Sequence, residues 1–519
     1  MDGISRTGRV CLLAALLLTV GCSAVLAATS TGVPEDAPAA AARQPIDPAA
    51  RSRVASKAMS EGRFDEAARI YRELIQAVPG DPGLLMNLGM ALAMGGHEAQ
   101  AIDPLQRALA LNPELGPANL FLGSSLLALG RPADAIAPLR RVAAARGTDV
   151  ESRRMLAQAY AAVGRHGDAV ATLRGLTEVA PRLPAGWYAL GHAYNALAQE
   201  SLKAFNDQPE NSPWRQLLVA DALFADGRLT DAFALHRAVL EQLPAMVSIH
   251  DSIAKIYELS GHAEWGAVER RKGALSPTLC SKRKALCEFR AGRYRAALTA
   301  ALAVTDIESR YWRARAATEL ALAAFERLDG LPDSRERREV RATLATSQRR
   351  YTDAIAELTA ARALDPDDPG LIDDLGVAYY SAREYERAVA TLKPLLAGNP
   401  DDPRLLTVVG DSLLQLQQLD DAIPLLRRAV ERAPKDAAPR VALGRAYLQK
   451  GEFASALPLL EPEIARDADG SLHVQLARAY AGLGQKDKAE ALLTRSQEIQ
   501  RAAQERGAAA GERSIEPPK

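Results

Sequence analysis

The stretch "GLLMNLGMALAMGGHEAQAIDPLQRALALNP", Gly83–Pro113, decides the fold. Leu85, Leu88 and Leu92 fall at helical spacing, and Gly95-Gly96 then breaks the run. Ala101, Leu105 and Ala108 resume it until Asn112-Pro113 ends it. The stretch therefore predicts two helices joined by a tight turn. The pattern continues outward on both sides. Small residues stand at Ala55, Gly89, Gly123, Ala157 and Gly191, each 34 residues after the last. After an irregular interval the beat returns at Ala342, Gly376, Gly410 and Gly444, and Ala477 follows. A second register keeps pace at Ala67, Ala101, Ala135, Ala169, Ala354, Ala388, Ala422, Ala456 and Ala489, and a third at Pro79, Pro113, Pro181, Pro244, Pro366, Pro400 and Pro434. Three registers sharing one period mark a stacked repeat array. Antiparallel helices approach to ~8 Å only where the facing side chains are small, so these Gly and Ala residues are expected to be the packing contacts of each pair.

This pattern closely resembles the tetratricopeptide repeat (TPR) family, over roughly Asp47 to Gln500. The resemblance implies an all-α, right-handed superhelical solenoid of about 12–13 antiparallel helix pairs. Some residues depart from the pattern. Pro104, Pro138, Pro424 and Pro458 fall early within second helices and predict a late start or a kink. Two segments, "GWYALGHAYNALAQESLKAFNDQPENS" and "RYWRARAATELALAAFERLDGLPDS", resemble each other and predict longer first helices from near Trp187 and Trp312. Between them the beat falters. The chain is accordingly divided into an array over 48–208, an irregular segment over 209–308, a second array over 309–502 and a disordered tail over 503–519.

Composition agrees with close-packed helices. Hydrophobic residues make up 48% of the 519, but aromatics only 5%, so the apolar mass is largely Ala and Leu. Net charge is zero, with both signs interspersed, which argues against a nucleic-acid partner. The N-terminus "MDGISRTGRVCLLAALLLTVGCSAVLAA" reads as an export signal, with Arg6 and Arg9 before a short apolar core. Cleavage after Ala27 would remove residues 1–27. Alternatively "LTVGC" resembles a bacterial lipobox, which would remove 1–21 and lipidate Cys22. Residues 28–47 form an Ala/Pro-rich linker. Either route predicts a protein of a Gram-negative-type envelope, periplasmic or lipid-anchored to the outer membrane, whose only membrane contact would be that anchor.

No enzyme motif is found: there is no GxGxxG after a strand, no GxxxxGK[ST] and no GxSxG. The seven histidines form no HExxH, and Asp367-Asp368, Asp401-Asp402 and Asp420-Asp421 sit where helix starts are expected, as caps. No catalytic residue, metal or cofactor is expected.

Cys280 and Cys287, in "LSPTLCSKRKALCEFRAGRY", could be a metal site, a redox pair, a nucleophile or a staple. Metal binding needs about four ligands, redox pairs read CxxC, and no base is evident for a nucleophile. A disulfide is favoured, on one condition. Seven residues of continuous helix span ~10.5 Å, whereas bonded cysteines need Cα atoms within ~7 Å. The helix must therefore break between them.

The resemblance also implies that first helices line a concave groove. It places Tyr188, His192 and Asn195 there in one repeat, then Asp373, Val377 and Tyr380, then Thr407, Asp411 and Leu414, then Arg445 and Leu448, then Arg478. Such a ladder, acidic then basic, could hold a protein or peptide partner. The Lys-x-x-x-Asn clamp of chaperone-binding TPR proteins is absent, since the comparable helices read "LLMNLGMALA" and "RRMLAQAYAA". The expected function is a non-catalytic protein–protein interaction scaffold of the envelope, serving assembly, secretion or polysaccharide export. A glycan- or cell-wall-binding subunit is the alternative, and an unrecognised enzyme a remote one.

Overall fold

The computed structural model describes residues 47–145, 149–512 and 515–518. The export segment, Cys22 and the linker up to residue 46 lie outside the described residues. Among the described residues there are 27 α-helices and no strand. No described helix is long and apolar enough to cross a membrane.

Local chemistry sets each helix boundary. Asp-Pro pairs open first helices: Asp81 accepts from the backbone N–H groups of Gly83 and Leu84 at 2.7 and 3.1 Å, and Pro82 supplies a first position that needs no donor. Asp368-Pro369 and Asp402-Pro403 repeat the device. The acid pairs at 367–368 and 401–402 thus contribute caps, and Asp420 and Asp421 lie in the first turn of Leu419–Arg432. Each turn between paired helices needs one left-handed residue, supplied by Gly96 at φ 79° in the opening stretch. Arg349, Arg383 and Gln417 adopt that conformation without being glycine.

The prolines do not delay their helices. Glu98–Leu111 and Leu419–Arg432 continue unbroken through Pro104 and Pro424. Each proline lies beyond the first turn but removes only one ladder donor, and the flanking bonds persist. Phe453–Leu460, by contrast, gives way two residues after Pro458 to a 3₁₀ turn, Glu461–Arg466.

The chain forms two compact units that interleave in sequence. One holds the described residues up to Ala204 together with Ala291–Leu331; the other holds Phe205–Arg290 and the residues from Pro332 onward. This differs from the linear division at 208/209 and 308/309. The reason lies in one helix pair. Pro184–Lys203 packs along Ile307–Asp329, not along the helix that follows it. The two segments that resemble each other are therefore partners in one pair, and their matched extra length lets each cover the other.

Within ordinary pairs the small residues receive a leucine sixteen positions on. A Cβ built at Gly410 would lie 2.8 Å from Leu426 Cδ2, and one at Gly444 2.6 Å from Leu460 Cδ2. Gly89, Gly123 and Gly376 meet Leu105, Leu139 and Leu392 in the same way. Ala55, Ala101, Ala135, Ala388, Ala422 and Ala456 are fully buried, and Ala157 and Ala169 nearly so. At Gly191 the occupant is instead Phe325, whose Cε1 would lie 2.5 Å from an added Cβ.

Cys280 and Cys287 are joined in a disulfide with Cα atoms 5.6 Å apart. The helix does break between them: Pro277–Lys282 ends at Arg283 and Lys284–Arg290 begins anew. The C-terminal end differs from the expected tail. The last helix runs Lys486–Glu512, because "AAQERGAAAGE" has high helix propensity although it lacks an apolar period.

Gly410→Ala should lower stability by ~1–3 kcal/mol, since Leu426 must move. Leu426→Ala alone should cost ~2–5 kcal/mol. The double variant should cost less than the sum, because the new methyl enters the vacated space; additive urea midpoints would contradict the slot.

Candidate functional site

Three consecutive first helices of the C-terminal repeats are joined through one carboxylate. Asp411 lies on Pro403–Gln415 and is only 4% exposed. Its two oxygens are bonded to different neighbours. Tyr380, from Pro369–Ser381, donates its hydroxyl to Oδ2 at 2.6 Å. Arg445, from Ala437–Lys450, donates to Oδ1 and forms an ion pair with it. One carboxylate thus bridges three successive repeats. Burial, and then the hydrogen bond to Asp411 and its charge, push the Tyr380 hydroxyl above its ordinary range, so it stays a donor at neutral pH.

Nearer the N-terminal side of this row, Asp373 pairs with Arg404 of the next repeat while its Oδ1 is buried without a partner among the described residues. Beside it Asp374 is exposed. Its pKa rises from 3.8 to about 6, through desolvation by the surrounding walls and then the charges of Asp373 and Glu339. Arg335 ties Glu339 at 2.6 Å and Asp365 and Asp368 at 2.7 Å each. Arg478 is exposed one repeat beyond Arg445. The row therefore runs from acidic to basic, but its middle members are engaged with each other.

The other unit holds the remaining candidates. Tyr188 and His192 pack ring to ring at 4.4 Å, and His192 meets the edge of Phe325 at 5.4 Å. Solvent reaches His192, yet the protein around it pushes its pKa down to about 4 by desolvation, leaving it neutral at pH 7. Asn195 is half-buried, with Nδ2 lacking a hydrogen-bond partner among the described residues.

Sequence reasoning missed Asp374 and Arg404. The signal for Arg404 was available, because it stands 31 residues after Asp373, the same step that separates Tyr380 from Asp411. The step from Asp411 to Arg445 is 34, one full repeat. Opposite charges 31 or 34 positions apart on the first helices of adjacent repeats are therefore readable as bridges.

With this geometry in place, comparison with known families gives the class. Models described as tetratricopeptide repeat match residues 126–193, 345–411 and 413–471; 37–82, 53–115 and 99–150; and 470–502. The chain belongs to the tetratricopeptide repeat family. No curated protein matches it. Solved structures similar to part of it include MamA MSR-1 C2, 25% identical with a TM-score of 0.29, spanning 33% of this chain and 98% of that one. MamA AMB-1 P212121 is 27% identical with a TM-score of 0.29, spanning 32% and 98%.

Two measurements check the site. In a double-mutant cycle, Asp411→Ala and Arg445→Ala should show a coupling of ~0.5–3 kcal/mol in unfolding free energy; zero coupling would mean that the pair holds nothing. Asp374→Asn tests the raised carboxyl. A carboxyl whose folded pKa exceeds its unfolded value contributes stability below about pH 4 that is lost as pH rises through about 6. The variant should therefore be more stable than the parent at pH 7, by under ~1 kcal/mol because the group is exposed and screened, and should lose that advantage at pH 4.

Proposed function

We propose that this protein is a non-catalytic scaffold of the bacterial envelope that binds protein or peptide partners along the first-helix face of its C-terminal repeats. The observation that carries this reading is the row itself. Tyr380, Asp411 and Arg445 lock three repeats into one surface, while exposed Asp374 and Arg478 stand toward opposite ends of it. A rigid surface with separated charges suits a segment of matching polarity, because little must be ordered on binding. The export signal, the lipobox-like Cys22 and the disulfide support an envelope location, where disulfides persist. Direct glycan binding finds less support. Trp312 is 2% exposed and Trp187 is half-buried, so neither offers a fully open platform.

Mild crosslinking in the native envelope followed by affinity purification tests the proposal. The intact chain should enrich a protein partner over a control carrying only residues 1–47. Asp374→Lys combined with Arg478→Glu should cut recovery at least ~10-fold, as expected for loss of ~1.4 kcal/mol, with a melting temperature no lower than the parent's. No enrichment, or equal recovery by the charge-reversed variant, would overturn it. In the same cells palmitate should label Cys22; a soluble, unlabelled product would replace the anchor with cleavage after Ala27.

A further inference from the structure

Away from that row, aromatic side chains gather around Tyr257, which reaches a short segment near the end of the chain. The Tyr257 hydroxyl donates to the backbone carbonyl of Glu516 at 2.6 Å, across 259 positions of sequence. Tyr257 is fully buried. Phe233 lies 5.3 Å from its ring and Trp265 meets it edge-on at 5.5 Å. His262 stacks on Trp265 at 3.9 Å, and the Arg237 guanidinium stands 5.7 Å from the Phe233 ring centre. Residues 515–518, Ile-Glu-Pro-Pro, belong to no helix. Ile515 and Pro518 are half-buried, while Glu516 and Pro517 face solvent. The helix Lys486–Glu512 touches Leu229–Gln242, the helix that carries Phe233 and Arg237, and so delivers the segment to this place.

We infer that Phe233, Arg237, Tyr257 and Trp265 form a second docking site. It recognises an aliphatic–acidic–proline–proline segment, and its resident occupant is this chain's own Ile515–Pro518. The chemistry matches the residue types. Two prolines lose little freedom on docking, and the carbonyl that accepts is that of Glu516, just before them. Aromatic surfaces are what proline-rich segments favour. Arg237, beside both Phe233 and Tyr257, supplies a cation to the site. Tyr257 reads a backbone carbonyl and so fixes the segment's position whatever its side chains. A partner bearing the same kind of segment must displace the resident one, which acts at an effective concentration of about millimolar. This site is independent of the charged row on the first helices.

The test uses the full chain and a fluorescein-labelled peptide, GERSIEPPK, covering residues 511–519. Ile515→Asp with Pro518→Asp frees the site without touching its aromatic residues. By fluorescence anisotropy this double variant should bind the peptide at least ~10-fold more tightly than the intact chain, because the resident segment no longer competes. Adding Tyr257→Phe should weaken that binding ~5-fold, with the unfolding midpoint followed as a control for folding. Equal affinity of the intact chain and the double variant would overturn the proposal. So would absence of binding by the double variant at about 1 mM peptide, or equal binding of a scrambled peptide.

Discussion

A missing Cβ holds together the repeats at Gly89, Gly123, Gly376, Gly410 and Gly444. The branched end of a leucine on the second helix occupies the place where a side chain on the first helix would begin, as at Gly410 with Leu426 and Gly444 with Leu460. That contact brings the two backbones close enough to bury the Ala register almost completely. Protein interiors are packed to crystal density, so a slot this tight accepts few alternatives. The 34-residue period follows from it. The slot residue, its leucine sixteen positions on and the intervening left-handed turn must recur together, or the next pair loses its platform.

This constraint explains what was legible in the sequence and what was not. The slots could be read because their occupants must be small and must recur. The Asp-Pro caps could be read because local chemistry alone sets them. Gly191 also stood on the beat and is also a slot. What fills it could not be read, because a slot specifies a shape and not an address. Phe325 satisfies it from 134 positions away, where Leu105 satisfies Gly89 from sixteen. The only trace was length: Pro184–Lys203 and Ile307–Asp329 are 20 and 23 residues long, against thirteen or fourteen in regular repeats.

The charged row was legible in position but not in engagement. The repeat resemblance placed Asp411 and Arg445 on one face, and in the structure the two are bonded to each other. Whether a carboxylate is free or already bonded depends on side chains one repeat away. Asp411 spends both oxygens on its own chain, and its burial leaves that pairing little competition from water. The residues able to address something else are those the lock leaves out, Asp374 and Arg478. The cysteines behaved differently, because the decisive quantity was the rise of a helix per residue. A continuous helix would have held Cys280 and Cys287 too far apart, and the interruption at Arg283 brings their Cα atoms to 5.6 Å.

The pairing of distant helices also changes how the chain gains its stability. In a simple array each repeat contacts only its neighbours, so ordering can start anywhere and spread. Here Pro184–Lys203 must await Ile307–Asp329, with about a hundred residues between them that include Phe205–Arg290 of the other unit. Closing a longer loop costs only ~0.6 kcal/mol per doubling, so the arrangement is affordable at equilibrium. Its effect is kinetic: contacts between distant positions slow folding more than they weaken the folded state. The aromatic edge of Phe325 against His192 is therefore among the last contacts expected to form, and residues beside it depend on that late closure. The charged row from Asp373 to Arg478 is built from consecutive repeats and can form without it. The surface best placed to receive a partner is thus also the one that the local repeat pattern assembles most directly.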